Sequence, residues 1–480
     1  MVTVMSTSPT SFGINVSNTA DTSSDSHSIG ARIDRLPAVA TLWKLTALIA
    51  IGGFFELFDL FQTAYISPGL LEAGIFSRGS EGLFGFSDQA AFGAATFLGL
   101  FIGAVLISPM ADRFGRRSIF AYALLWYTLL SVLMALQSTS AGVMSCRLLV
   151  GIGLGVELVT IDTYLSELMP KRMRGSAFAF AFFIQFLAVP AVALLSWLLV
   201  PHSPFNIAGW RWVILIGAAC ALLMWRLRRT LPESPRWLAN HGQSEEAARV
   251  VSDIERRCEK EYGQPLPPIE APAKVPPHAS QQPSMWQPPY RKRMLMLITF
   301  NIFQAIGFFG FGNWLPALLG GQGSATTHSL LYAFFITLAY PLGSLVMMKA
   351  ANRLENKWQI VASSLGTVIF GSLFALASAP WALIVSGLAI TLCNSWMTYA
   401  FHAYQAELFP TAIRARAVGF CYSFSRLSTV FSSVLIGFIL DNLGASSVLV
   451  FIITSMLIVV LTIALFGPRT QGVALEHINQ

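Results

Sequence analysis

Charge is scarce in this sequence. Only 11% of its 480 residues are Asp, Glu, Lys or Arg, against about 25% in a soluble domain. The deficit is uneven: charge is missing from long stretches and gathered between them, the pattern expected when lipid is the solvent. Cysteine is also sparse. Cys146, Cys220, Cys258, Cys393 and Cys421 show no C-x-x-C spacing, which argues against a zinc ribbon or redox pair, and four of them sit in apolar segments as expected of buried, reduced thiols. There is no P-loop, no nucleophile elbow and no metal-ligand spacing, so the sequence points away from an enzyme and calls for no cofactor. Work must then be driven by an ion gradient or by the substrate's own.

What is present is hydrophobic sequence: 54% of residues are apolar and mean hydropathy is +0.61. A helix needs about 20 apolar residues to cross the hydrocarbon, and twelve such runs are predicted. They lie near 43–66, 90–110, 118–137, 141–164, 175–200 and 210–229, then near 293–318, 328–350, 357–377, 380–405, 416–440 and 446–467. The loops between them alternate. One set carries Arg113, Arg116, Arg117, Lys171, Arg172, Arg174, Lys349, Arg353, Lys357, Arg414 and Arg416, whereas 138–140, 201–209, 319–327, 378–380 and 441–445 are nearly free of Lys and Arg. By the positive-inside rule the basic set faces the cytoplasm, and an even number of spans puts both termini there. The net charge of +7 is thereby a topology signal and needs no nucleic acid.

The expected organisation is a disordered N-terminal tail (1–40), a six-helix bundle (41–230), a cytoplasmic linker (231–291), a second six-helix bundle (292–468) and a short tail (469–480). Within the linker, 244–262 reads as an amphipathic helix and 264–289 as a proline-rich, semi-rigid tether. The halves repeat. Tyr164, Glu167, Pro170 and Arg174 recur as Tyr404, Glu407, Pro410 and Arg414, and Asp112-Arg113 as Asn352-Arg353, all at one offset, 404 − 164 = 240. Parallel six-helix repeats are how many secondary transporters build a central site that rocking exposes to each side in turn. The expected fold is therefore an all-α integral membrane protein of twelve transmembrane helices in two six-helix pseudo-repeats.

Several motifs resemble the major facilitator superfamily, in the branch of sugar porters, organic-ion transporters and metabolite:proton symporters. Ala111-Asp112-Arg113-Phe114-Gly115-Arg116-Arg117 resembles that family's loop between helices 2 and 3. Arg147-x-x-x-Gly151-x-Gly153-x-Gly155 is similar to its helix-4 motif, Pro232-Glu233-Ser234-Pro235-Arg236-Trp237-Leu238 to the segment after helix 6, and Glu407-Leu-Phe-Pro410-Thr-x-x-Arg414 to the junction of helices 10 and 11. Departures are Ser108 where the loop motif opens with Gly, Glu355 for Gly in its second copy, and Asp162 where sugar porters carry Pro. Gly151, Gly153 and Gly155 lie inside a span, so they read as close helix packing and not as a dinucleotide fingerprint. The resemblance implies that Asp112, Arg113, Gly115, Arg117, Glu167, Arg174, Glu407 and Arg414 form a cytoplasmic gate network.

Ionisable residues at bilayer depth are costly and tend to be paired or functional. Glu56 and Asp59 share a face of the first span. Counting residues from the outer ends puts Asp59 and Arg147 at a similar depth, so they can pair. Their segment resembles proton-symporter motifs, which implies proton coupling: a carboxylate released from its cation in low dielectric binds a proton more tightly than one that is paired. Asp59 is the candidate carrier, Arg147 its switch and Glu56 a weaker candidate; a static ion pair is the plain alternative. Arg426 lies near mid-membrane in span 11, 16 positions after Pro410. That place resembles organic-anion transporters, which implies binding of a substrate carboxylate. Glu157 either lines the cavity or neutralises Arg426. Asn301, Gln304, Asn313, Asn394, Trp396 and Tyr399 are polar or aromatic candidates for the cavity wall, and Asp162 and His402 occupy equivalent repeat positions. The expected function is proton-coupled uptake of a small organic metabolite, an anion favoured, by a monomer in a bacterial inner membrane. Alternatives are a sugar or metabolite facilitator, a proton-antiport exporter and a transporter-like solute receptor.

Overall fold

The computed structural model describes residues 28–77, 86–107, 110–269, 284–288, 290–321, 325–350, 355–409 and 411–469. Among the described residues twelve helices are long and apolar enough to span a membrane. They are α1 (Ala40–Glu72), α2 (Asp88–Ile107), α3 (Arg116–Ala135), α4 (Ser140–Leu168), α5 (Lys171–Leu199), α6 (Gly209–Arg228), α7 (Tyr290–Gly312), α8 (Thr326–Val346), α9 (Asn356–Leu376), α10 (Pro380–Gln405), α11 (Arg416–Leu443) and α12 (Ala445–Phe466). There is no strand among the described residues, as expected where every backbone polar group has to be satisfied within its own segment. Asn352, Arg353 and Pro410 of the repeat lie outside the described residues.

α1 to α6 and α7 to α12 form two bundles that meet along two lines. α5 packs on α8, and α2 on α11. The 240-residue offset maps α2 onto α8 and α5 onto α11, so the two contacts are pseudo-symmetric copies of each other. Small residues permit the close approaches. A Cβ on Gly155 would collide with the Leu100 carbonyl, one on Gly151 would stand 2.5 Å from the Thr96 carbonyl, and one on Gly437 would strike Ala90 across the bundle interface. The glycine run of α4 is thus a packing device. α5 and α8 are each interrupted at mid-span, after Phe186 and after Thr337. Pro190 and Pro341 stand four residues beyond those points, and a proline ring has no N–H and clashes with the carbonyl four residues earlier.

At the face opposite the basic loops, Phe61, Phe76, Phe92, Phe311, Trp314, Tyr340 and Ile436 from both bundles belong to one buried cluster. This is an apolar seal. Of the four thiols in apolar segments, Cys146 and Cys421 are buried as expected, Cys393 is half-buried and Cys220 is exposed on α6; Cys258 of the linker helix is buried as well.

Residues 28–34, expected to lie in a disordered tail, form a helix. Ile29, Ile33 and Leu36 fall at i, i+4 and i+7, and the two isoleucines pack on Leu238, Ala247 and Val251 of the linker. This short stripe follows a long Ser/Thr-rich stretch that masks it in the sequence. Arg32 and Arg35 both grip Glu255 of the linker helix Ser244–Tyr262, at 2.6 and 2.7 Å. Asp34 bridges Lys171 and Arg236 at 3.3 and 3.1 Å, and Glu261 caps the start of α1 through Thr41 N at 2.8 Å. Partial burial alone would raise the Glu255 carboxyl, but the hydrogen bonds and charges of Arg32 and Arg35 outweigh it and hold the group below its ordinary value. A depressed carboxyl stabilises above its unfolded value and loses that contribution as pH falls through the folded one. Relative to its intrinsic rate at each pH, hydrogen exchange of residues 28–36 should therefore be slow at neutral pH and accelerate on acidification below the ordinary carboxylate range. Glu255→Gln should speed it by about 5- to 30-fold at pH 7, corresponding to roughly 1–2 kcal/mol of clasp.

Candidate functional site

A cavity of about 320 Å³ lies between the bundles, in the half nearer the basic loops. Its walls are Asp162 of α4; Gly175, Phe178, Ala179, Phe182 and Phe186 of α5; Ser344 of α8; and Ser395, Thr398, Tyr399, His402 and Ala403 of α10. Apolar and aromatic walls with a few polar groups are what a small-molecule site requires, and the volume sits at the low end of the usual range of roughly 300–1,000 Å³.

The repeat explains which side chains converge here. Asp162 maps onto His402, Phe182 onto Tyr422 and Phe186 onto Arg426, all at the offset of 240. Phe182 stacks on His402 at 6.2 Å, and His402 lies 5.9 Å from Tyr422. Tyr422 accepts a hydrogen bond from Arg426 Nη2 at 3.0 Å. The guanidinium also rests over the rings of Phe309 and Tyr422, at 5.4 and 5.2 Å. Arg426 is 4% exposed, yet its Nε and Nη1 have no hydrogen-bond partner and no carboxylate lies within ion-pair distance among the described residues. Asp162 and His402, on the cavity wall, both feel its charge.

Asp59 and Arg147 come together as their depths suggested. Arg147 Nη1 meets Asp59 Oδ1 at 3.0 Å, and Nε donates to Thr96 Oγ1 at 3.0 Å. Nη2 donates to the Asp59 carbonyl and to Thr63, and Ser131 donates to Asp59 Oδ2 at 3.2 Å. The pair sits inside the first bundle, away from the cavity wall. A small void of about 10 Å³ beside Asp59 is lined by α1, α3 and α6.

Other expectations need correction. Glu157 does not neutralise Arg426 and does not line the cavity; it is ion-paired with Arg228, both fully buried. Arg228 stacks 3.8 Å from the Phe120 ring and donates to the Phe120 carbonyl at 3.0 Å. It reaches inward through a notch at Gly52, where any Cβ would collide with its Nη2. In sequence Arg228 is one of several arginines ending α6 and looks like a topology residue; the glycine opposite was the available signal. Of the proposed wall residues only Tyr399 lines the cavity. Asn301 donates to Leu297 O of its own helix at 2.8 Å, and Asn394 accepts from Thr367 at 3.3 Å. Trp396 donates to Gln359 at 2.9 Å, whereas Gln304 and Asn313 are buried in α7 and just beyond it. None of these five lines the cavity, and Asn301 Oδ1 and Asn313 Oδ1 are buried without a hydrogen-bond partner among the described residues.

The loop network is also re-centred. Arg116, and not Arg113 or Arg117, joins Asp112 at 2.7 Å and Glu167 at 3.0 Å. Arg113 is exposed over the Phe114 ring, and Arg117 donates through its side chain to the Arg229 carbonyl. Glu233, quoted in a motif but given no role, accepts from the backbone N–H of Arg116 and Arg117 at 2.9 and 3.1 Å and so caps α3. Gly115, at φ +91°, makes room: a Cβ there would stand 2.5 Å from Glu233 Oε2. In the second half Asn356 donates to Glu407 at 3.0 Å, the repeat image of Arg116–Glu167. Arg414 donates to Phe409 O at 3.1 Å, and Arg174 does not join Glu167, its Nε and Nη2 finding no partner.

Comparison with known proteins agrees with this architecture. The family model for sugar (and other) transporters matches residues 45–311, and that for the major facilitator superfamily matches 297–477. The chain belongs to the major facilitator superfamily. A putative metabolite transport protein of Bacillus subtilis, YyaJ, is 32% identical to this transporter over 445 residues, covering 92% of this chain and 95% of that protein. The niacin transporter NiaP of Acinetobacter baylyi is 27% identical over 455 residues, covering 94% and 99%. A partially occluded, inward-open structure of the xylose transporter XylE from E. coli superposes with a TM-score of 0.73 at 18% identity, covering 91% of this chain and 100% of that one. The protein is thus a multi-pass membrane transporter of the metabolite and sugar class.

The buried Glu157–Arg228 pair yields a direct expectation. Removing one partner leaves an uncompensated charge, at a cost of about 3–5 kcal/mol. Glu157→Gln should lower the unfolding temperature of the detergent-purified transporter markedly, and adding Arg228→Met should recover part of the loss. Equal stability of wild type and the single variant would show the pair to be energetically idle.

Proposed function

We propose that this transporter imports a small organic anion, a carboxylate, together with protons, by alternating access. The observation that carries the reading is Arg426, a buried guanidinium beside an aromatic-walled cavity, with two nitrogens unpartnered and no carboxylate within ion-pair distance among the described residues. Placing such a charge in the bilayer interior is costly, and a ligand carboxylate would offset that cost. A relative transports niacin, which fits the same choice.

Protons are carried by Asp59 with Arg147 as the switch. A conformation that parts the pair makes the carboxylate bind a proton, and one that restores it drives the proton off. Arg116, Asp112 and Glu167, with Asn356 and Glu407, act as the gate. The basic loops mark the cytoplasmic face, which puts both termini inside and makes the cavity inward-facing, with the apolar seal outside. Bacterial relatives support an inner-membrane location, and the working unit is a monomer.

Uptake of monocarboxylates into proteoliposomes tests the reading. Arg426→Ala should reduce uptake by about 10- to 100-fold, the loss of one charged hydrogen-bonded contact of about 1.5–3 kcal/mol, with membrane insertion unchanged. Normal anion uptake by that variant would refute the site. Asp59→Asn should abolish accumulation driven by a pH gradient while substrate exchange persists; retained gradient-driven accumulation would remove Asp59 from the proton path.

A further inference from the structure

The cavity has two unlike walls. Phe178, Phe182 and Phe186 recur every four residues on α5 and present rings, whereas Ser395, Thr398, Tyr399 and His402 of α10, with Ser344 of α8, present polar groups. Residues three and four apart share a helix face, so each wall is a single stripe. Two hydroxyls of the polar stripe are already used. Thr398 donates to the Asn394 carbonyl at 2.9 Å, and Ser344 to the Tyr340 carbonyl at 3.3 Å.

Ser395 differs. It is 5% exposed, and its Oγ has no hydrogen-bond partner among the described residues. Other buried polar atoms without a partner, such as Glu56 Oε1 and Gln62 Oε1, lie off this cavity's wall, whereas Ser395 lies on it. Gly343 of α8 leaves the room beside it: a Cβ there would stand 2.9 Å from Ser395 Cβ and 3.4 Å from its Oγ. A buried hydroxyl without a partner is costly, and a ligand group that bonds to it removes that cost.

Ser395 and Arg426 lie at matching depth. Each stands ten residues from the cytoplasmic end of its span, 405 − 395 on α10 and 426 − 416 on α11, or about 15 Å along the helix. Ser395 is on the cavity wall, and Arg426 meets that wall through Tyr422 and His402. A small acid lying across the cavity with its carboxylate on Arg426 turns its far edge towards α10.

We propose that Ser395 is a specificity-determining residue that touches the substrate: its Oγ shares a hydrogen bond with a hydroxyl carried on the side away from the carboxylate. The substrate class narrows from monocarboxylates to hydroxylated monocarboxylates. The proposal rests on Arg426 holding the carboxylate. A site built around a hydrogen bond rejects an analogue without the matching group, because the protein atom is then left unpaired.

The test compares binding of benzoate, 3-hydroxybenzoate and 4-hydroxybenzoate to the purified full-length transporter. The better hydroxylated probe should bind wild type about tenfold more tightly than benzoate, the worth of one hydrogen bond. Ser395→Ala should bring that ratio close to one by weakening the hydroxylated probe, with benzoate unchanged. Thr398→Val removes a hydroxyl already bonded within its own helix and should keep the wild-type ratio. If Ser395→Ala keeps the ratio, or Thr398→Val abolishes it, the proposal falls while the anion site stands. If Arg426→Ala binds benzoate as tightly as wild type does, or none of the three acids binds, the anion site itself falls and this proposal with it. Should Ser395→Ala fail to fold, wild type decides: equal affinity for all three acids, as expected of a hydroxyl that merely turns to the Thr391 carbonyl of its own helix, overturns the assignment.

Discussion

The rest of the structure follows from the price of an unmatched charge in hydrocarbon. Asp59 is answered by Arg147, Ser131 and the hydroxyls around the guanidinium. Glu157 is answered by Arg228, which is threaded past a glycine to reach it. Against that discipline the bare nitrogens of Arg426 stand out. Arg147 and Arg228 each meet a carboxylate, whereas Arg426, beside the cavity, meets none within ion-pair distance among the described residues, which is the ground for the anion reading proposed above.

The duplicated scaffold supplies the geometry and departures from the duplication supply the chemistry. The offset of 240 residues sets Phe186 against Arg426, Phe182 against Tyr422 and Asp162 against His402. The first half presents rings and an acid, and the second a hydroxyl, an imidazole and a cation. The same divergence marks the loops, where Arg116–Glu167 is an ion pair and its image, Asn356–Glu407, a hydrogen bond. The N-terminal contact thus joins two charges, and its copy joins a neutral amide to a carboxylate.

The twelve spans were legible because an uninterrupted apolar run is sufficient to define one. The Asp59–Arg147 pair was legible because depth can be counted along a helix from a charge-poor loop. Arg228 was not, because an arginine closing a span looks the same whether it points to water or folds back inside. Arg116 was hidden among three arginines of a tight loop, where a shift of one residue turns a side chain by about 100°. The cavity wall of Phe178, Phe182 and Phe186 was likewise hidden: an aromatic stripe facing lipid and one facing ligand have the same spelling. The polar residues of α7 and α10 were over-read because a buried amide is as readily satisfied by its own helix as by a ligand.

Glu233 holding the start of α3, Tyr164 bonded to the Pro232 carbonyl and Asp34 joined to Lys171 are contacts with the first bundle, and Arg32 and Arg35 tie the N-terminal helix to Glu255 of the linker helix. Among the described residues these contacts tie the N-terminal helix and the linker helix to the first bundle, whereas Trp286 packs on Phe420 of α11. In the alternating access we propose, the linker helix would move with α1–α6. A probe on the linker helix would then report the orientation of the first bundle from outside the membrane-spanning segments.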